Sequence, residues 1–284
     1  MDFVTMNDIV TQPGKQGWAV GSFITFNMEM TEAILEAATE EQSPVIMMLY
    51  LPFYLKLGKG LVPMIRALAE DIKVPVCLHL DHGQNLEQIV QAIKIGFSSV
   101  MIDGSVLPLE ENIALTKKIA EVAHASGVSV EAELGHVPGG EQYLGQEKVG
   151  EQKTNPNIAA RFVEETGVDA LAIAVGNLQG GEVGSASIDL DCLAEIRRRV
   201  SCLLVLHGGT SLGSKEVERA VKAGIDKINY FTDLRRAYAR SLLGTINGDP
   251  DNAEPEDLIF NAKEQVKKVI KGKMRVFGSS GKVF

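Results

Sequence analysis

A regular alternation constrains this chain more than any other feature. Short apolar runs at 19–23, 45–49, 75–80, 98–102, 128–134, 170–175, 203–206 and 226–230 each precede a stretch with helical spacing of apolar residues. Those stretches read as helices at 28–41, 61–72, from Leu86 onward, 107–126, 156–166, 189–200, 214–223 and 233–243. A short, continuously apolar run suits a strand covered on both faces, and strands alternating with helices make parallel βα units. Right-handed crossovers repeated eight times over roughly 250 residues predict a closed TIM (β/α)8 barrel rather than an open doubly wound sheet. No glycine fingerprint for a dinucleotide follows the first strand, which weakens the open-sheet alternative. Beyond a weak boundary at 248–255, Ile259, Ala262, Val266, Val269 and Ile270 mark one face of an extra C-terminal helix. The expectation is one barrel domain over 1–284.

Charge and cysteine usage narrow the function classes. A net charge of −9 offers no basic field for nucleic acid or an acidic membrane. Cys77, Cys192 and Cys202 sit in apolar runs without a CxxC spacing, so thiolate zinc sites and disulfide scaffolds are disfavoured and a reducing cytoplasm is expected. The N-terminus lacks the features of an export signal, and no stretch approaches ~18 uninterrupted apolar residues.

The polar residues cluster where a barrel keeps its chemistry. The run from Val76 to Gly83 ends in Asp81, His82 and Gly83, and Asn85 with Gln88 three positions on starts the next helix. Asp81 and His82 therefore belong to the C-terminal end of a strand, where barrels bind ligands. Alternatively, Asp81 only caps the turn and His82 lies on the surface. The other strand ends contribute Asp103 and Ser105, Glu131 and Glu133, Asn177 and Gln179, His207, then Asn229 and Thr232. Glu131 and Glu133 share one strand face by period-two alternation. Two inward carboxylates require a cation, a buried Lys or Arg, or protonation, because an uncompensated buried charge is expensive. A divalent metal held with His82 and His207 meets that need; a hydrated, hydrogen-bonded mouth without metal is the equal alternative. Glycine-rich loops at 176–181 and 207–213 offer backbone N–H groups to a phosphate, or serve only as tight turns.

Taken together, His79 to Gly83, Met101 to Ser105 with Glu110, Glu111 and Asn112, Val130 to Gly135, His207 to Gly209, Asn229 with Thr232 and Asp233, and Phe277 to Ser280 resemble the class II, metal-dependent ketose-bisphosphate aldolases. The resemblance spans nearly the whole chain. It implies a zinc-dependent lyase that cleaves a phosphorylated ketose to dihydroxyacetone phosphate and an aldehyde, working as a homodimer or homotetramer. By position it makes Asp81 the proton-transfer acid, His82 and His207 metal ligands, and Glu133 either an alternative ligand or a group that supports the ligands from behind. Gly180, Gly208, Gly209, Thr210, Asn229 and Thr232, with Asp103 and Ser105, become the substrate and phosphate set, and Glu141 (or Gln142) the mobile acid/base.

Several positions depart from that pattern. Gln179 stands where the family carries its third metal-binding histidine, and a neutral amide oxygen is a poorer zinc ligand. His136 is a further histidine near the mouth. Ile24 replaces a strand-one asparagine, and Phe231 makes a bulky apolar wall that argues against the usual bisphosphates. Beside the lyase stand two alternatives: a metal-independent sugar-phosphate isomerase on the same barrel, and a non-catalytic sugar-phosphate-binding protein.

Overall fold

A computed structural model describes residues 3–11, 14–138, 153–248 and 254–283. Within them the strands β1 (Val20–Ile24), β2 (Val45–Tyr50), β3 (Val76–Gly83), β4 (Ser99–Ile102), β5 (Ser129–Leu134), β6 (Ala170–Ile173), β7 (Leu203–Leu206) and β8 (Lys227–Tyr230) pair in chain order. All pairs are parallel and β8 closes on β1, as the alternation predicts. The helices α2 (Met28–Glu41), α4 (Leu61–Ala69), α5 (Leu86–Ile95), α6 (Leu109–His124), α7 (Pro156–Thr166), α8 (Leu190–Arg199), α9 (Ser214–Lys222) and α10 (Thr232–Gly248) form the outer ring. Several of the expected segments are shorter than read: the helix at 61–72 stops at Ala69, that at 107–126 spans Leu109–His124, and the strand at 170–175 stops at Ile173.

Two further helices escape the periodicity. The one-turn α1 (Met6–Ile9) is closed by a capping box between Thr5 and Asp8. The helix α3 (Leu51–Leu57) follows β2 directly, with Pro52 tolerated in its first turn. Both matter to the cavity. Met6, Ile9, Val10 and Trp18 plug the N-terminal end of the barrel against Val20, Ile46, Cys77, Ala172, Leu203 and Val205. Burial of each large side chain there contributes ~1.5–3 kcal/mol, so the barrel floor is a packed core and not a pore. At the opposite end, α3 projects Phe53 over the mouth.

The C-terminal helix α11 (Pro255–Phe277) buries Ala262, Val266, Ile270, Met274 and Phe277 at helical spacing. Its neighbouring stripe of cations meets the acids of α2: Lys263 and Lys267 each lie 2.8 Å from Glu36, and Arg275 lies 2.6 Å from Glu41. Phe277 stacks on Phe23 of β1 with ring centroids 6.4 Å apart, which ties the helix to the barrel.

Candidate active site

Period-two alternation would send Asp81 and His82 to opposite faces of β3. A bulge prevents this: the β3–β4 register shifts between Leu80 and Gly83, and His82 adopts a left-handed φ of 57°. That conformation is strained for a residue with a Cβ, and it turns both side chains into the mouth. The structure thus discards the reading of His82 as a surface residue: Asp81 and His82 are both buried.

The two histidines are held in opposite senses. His82 Nδ1 donates to Asp103 Oδ2 at 2.6 Å, and Asp103 Oδ1 accepts the Ser105 amide at 3.1 Å. Asp103 and Ser105, expected at the substrate, are not among the residues that line the cleft; the Asp103 carboxylate turns to His82 Nδ1 and to the Ser105 amide. Burial opposes charge on His82, but Asp81 and Asp103 outweigh it and raise the imidazole to about 9. His207, at the tip of β7, points its Nε2 at Glu131 Oε1 (2.9 Å) and its Nδ1 at Glu133 Oε2 (3.3 Å). Here too burial is overcome, by the two glutamates, and the imidazole rises to about 10. A carboxylate behind each ring fixes its orientation.

The two inward glutamates are compensated separately. Glu131 takes Lys227 Nζ at 2.7 Å across the barrel, with His79 Nε2 3.6 Å away. Burial would raise this carboxyl, but Lys227 and His207 hold it well below its usual range. Burial and Lys227 push the His79 imidazole well below its usual range, which favours the neutral ring, with Nδ1 2.8 Å from Ser99 Oγ. For Glu131, then, the cation is a buried lysine and not a metal. Glu133 lies one layer higher. Its Oε1 accepts the Val137 amide at 3.3 Å, whereas its buried Oε2 makes no hydrogen bond and faces His207.

His82, Glu133 and His207 each offer a donor atom, and the three atoms lie within 4.8 Å of one another. Two nitrogens and one carboxylate oxygen, all buried and one of them lacking a hydrogen-bond partner, suit a borderline divalent cation. Gln179 reaches the same place: its Nε2 is 3.5 Å from His207 Nδ1. His136 is buried and stands outside this donor group.

Around these donors opens a cleft of about 260 Å3 lined in part by Asp81, His82, Gln179, Gly180, His207, Gly208, Thr210, Asn229 and Thr232. Asn229 Nδ2 lies 3.4 Å from Asp81 Oδ1. Gly208 has a φ of 72°, and a Cβ there would come within 2.2 Å of the Leu178 carbonyl. Only glycine lets the loops after β6 and β7 meet so closely. Gly209 packs on the backbone of Asn229 without lining the cleft, and the turn Gly209–Ser211 is 3-10 helical. Asn177 ties the same loops together by donating to the His207 carbonyl at 3.1 Å. Glu141 and Gln142 lie outside the described residues.

Sequence reasoning missed Lys227, His79, Tyr50, Phe53 and Arg235. Lys227 had a signal: it stands two residues before Asn229, hence on the same inward face of β8.

Comparison with known proteins agrees with this geometry. Residues 4–282 match the family model described as fructose-bisphosphate aldolase class-II. The chain is 40% identical over 302 residues to a fructose-bisphosphate aldolase of Thermus caldophilus, covering 98% of this chain and 99% of the relative. It is also 40% identical over 284 residues to a probable fructose-bisphosphate aldolase of Bacillus subtilis (strain 168), covering 99% of each. Among solved structures, the YdjI aldolase from Escherichia coli K12 superposes with a TM-score of 0.86 at 31% identity over 99% of this chain and 100% of that one. A barrel whose strand tips gather two histidines, a glutamate and an aspartate, in a chain with these relatives, belongs to the class-II fructose-bisphosphate aldolase family and is a metal-dependent aldolase.

Proposed function

We propose that the chain cleaves, and in reverse forms, a carbon–carbon bond in a phosphorylated ketose, with dihydroxyacetone phosphate as one product. The observation that carries this reading is the buried group of His82, Glu133 and His207, whose donor atoms converge within 4.8 Å. These three would hold one divalent ion, zinc by family resemblance, with Gln179 at its edge and Glu133 in the role of the absent third histidine. When bound, the ion supplies a Lewis acid that polarises the ketose carbonyl.

The chain's own residues do the rest. Asp81, buried and steadied by Asn229, takes the proton from the hydroxyl on the carbon that becomes the aldehyde. The carbon–carbon bond then breaks, its electron pair stays on the dihydroxyacetone phosphate half, and that carbon is reprotonated. The resemblance gives this last step to Glu141. Backbone N–H groups at Gly180 and Gly208, with Thr210, Asn229 and Thr232, would hold the phosphate at the C-terminal end of strands six to eight, a common barrel phosphate position. Phe231 narrows the aldehyde half. A single domain over 1–284, a homodimer or homotetramer, and a cytoplasmic setting consistent with three free cysteines complete the reading.

The test is release of dihydroxyacetone phosphate from a ketose 1-phosphate by zinc-, cobalt- or manganese-loaded protein. Cleavage should stop in strong chelator, and Asp81→Asn should lower kcat by about 10²–10⁴-fold. Undiminished cleavage in chelator would favour the metal-independent alternative, and no cleavage with any metal the binding protein.

A further inference from the structure

The wall of the cleft divides into two chemically distinct halves. Strands β3, β6 and β7 contribute Asp81, His82, Gln179, His207 and Thr210, all able to hydrogen-bond. The neighbouring tips of β8, β1 and β2 contribute Phe231, Ile24, Met48 and Tyr50, and α3 adds Phe53. These five are contiguous because β8 pairs with β1 and β1 with β2. Their rings are locked edge to face: Tyr50 on Phe53 with centroids 5.2 Å apart, and Phe53 on Phe231 at 5.8 Å. Phe26 packs on both Phe53 and Phe231, at 6.1 and 6.3 Å. Such a cluster has little room to turn a polar group inward.

The apolar wall starts at Phe231, beside Thr232 of the phosphate set, and leads away from it through the tips of β1 and β2 to Tyr50, whose ring centroid lies 6.0 Å from that of His82. A ketose phosphate whose phosphate rests on Gly180, Gly208 and Thr232 therefore extends its aldehyde half toward Ile24, Met48, Tyr50, Phe53 and Phe231. Five side chains there offer a single hydroxyl, that of Tyr50. A second phosphate would lose its hydration against rings that return no hydrogen bonds, which is strongly unfavourable. The guanidinium lining the cleft belongs to Arg235, three residues after Thr232 and so on the same helical face. Its carbon stands 5.9 Å from the Phe231 ring centroid, so this cation borders the apolar wall only at its β8 end, next to Thr232.

We infer that the aldehyde half of the substrate is uncharged and has an apolar body, so that the chain prefers a ketose monophosphate ending in an aliphatic or aromatic group over a bisphosphate. The inference rests on the aldolase reading above.

Two measurements on the metal-loaded full chain separate the two claims. The first is exchange of a hydroxymethyl proton of dihydroxyacetone phosphate with D2O, read by proton NMR with no aldehyde present; it tests the aldolase reading alone. The second compares kcat/KM for condensation of dihydroxyacetone phosphate with butyraldehyde, phenylacetaldehyde, glyceraldehyde and glyceraldehyde 3-phosphate. The expected result is exchange, with an apolar aldehyde preferred over glyceraldehyde 3-phosphate by about tenfold or more. Phe231→Ser should shrink that preference by a similar factor, and Phe231→Leu should keep it. Exchange with glyceraldehyde 3-phosphate as the best acceptor, selectively lost in Arg235→Leu, would overturn the inference and leave the aldolase reading intact. Absence of exchange would remove both.

Discussion

Lys227 Nζ lies 2.7 Å from Glu131 Oε2, and both side chains are completely buried in the barrel interior. The remaining oxygen of Glu131 holds His207 Nε2 at 2.9 Å. One carboxylate therefore joins the structural cation of β8 to a histidine of the site, and it can do both only while ionised. Removing the lysine strands that charge.

Lys227→Met should accordingly destabilise the fold by about 3–5 kcal/mol, the usual effect of breaking a buried pair from one side. The double variant Lys227→Met with Glu131→Gln removes the stranded charge and should recover part of the loss. Urea unfolding of both variants measures the difference. Equal destabilisation in the two would mean that the lysine matters for packing rather than for charge.

Asp103 acts on the site through His82. Its carboxylate fixes the ring and raises the imidazole, so Asp103→Asn should lower the titration of His82 below about 9 in metal-free protein. It should also weaken metal affinity by about 10–100-fold, as losing a carboxylate behind a histidine ligand does. Histidine NMR titration checks the first effect and competition with a chromophoric chelator the second. A substrate-binding Asp103 would instead change KM and leave metal affinity alone.

The α2–α11 charge ladder predicts an acid-sensitive C-terminal helix. Burial would raise Glu36, but Lys263 and Lys267 outweigh it and lower the carboxyl; Lys271 lowers Glu40 and Arg275 lowers Glu41. Folded-state values below 4.5 mean that the contribution is present above that pH and is lost as pH falls through the lowered values. These pairs are half-exposed, so each is worth only ~0–1 kcal/mol. Amide exchange in α11 should accelerate below pH 4.5 before the barrel strands respond, and Lys263→Gln should reduce the pH dependence. Simultaneous loss of α11 and the strands would contradict this.

What the sequence reveals, and what it hides, follows from the range of each interaction. The eight βα units are legible because their apolar periodicity is local. The inward pairing of Glu131 with Glu133 is legible because a strand alternates with period two. The partner of Glu131 is not, since Lys227 approaches from a strand 96 residues away. Nor does alternation place His82 beside Asp81; a bulge in the β3–β4 ladder does that. The sequence resemblance put Asp103 at the substrate, whereas in the structure its carboxylate holds the His82 ring. α3 was hidden because seven residues containing a proline carry too little helical period to stand out, yet this helix supplies Phe53 to the cleft wall. Phe231 and Gln179 could be singled out only as departures from a family pattern.

The central claim is a divalent site in which Glu133 does the work of a missing histidine. Elemental analysis of protein reloaded with zinc and dialysed against metal-free buffer tests it directly, alongside Glu133→Gln and Gln179→His. The account predicts about one ion per chain in the parent protein, loss of the ion in Glu133→Gln, and tighter retention in Gln179→His, which restores a third imidazole. A parent protein that holds no ion while Gln179→His holds one, or a Glu133→Gln variant that retains metal like the parent, would contradict it.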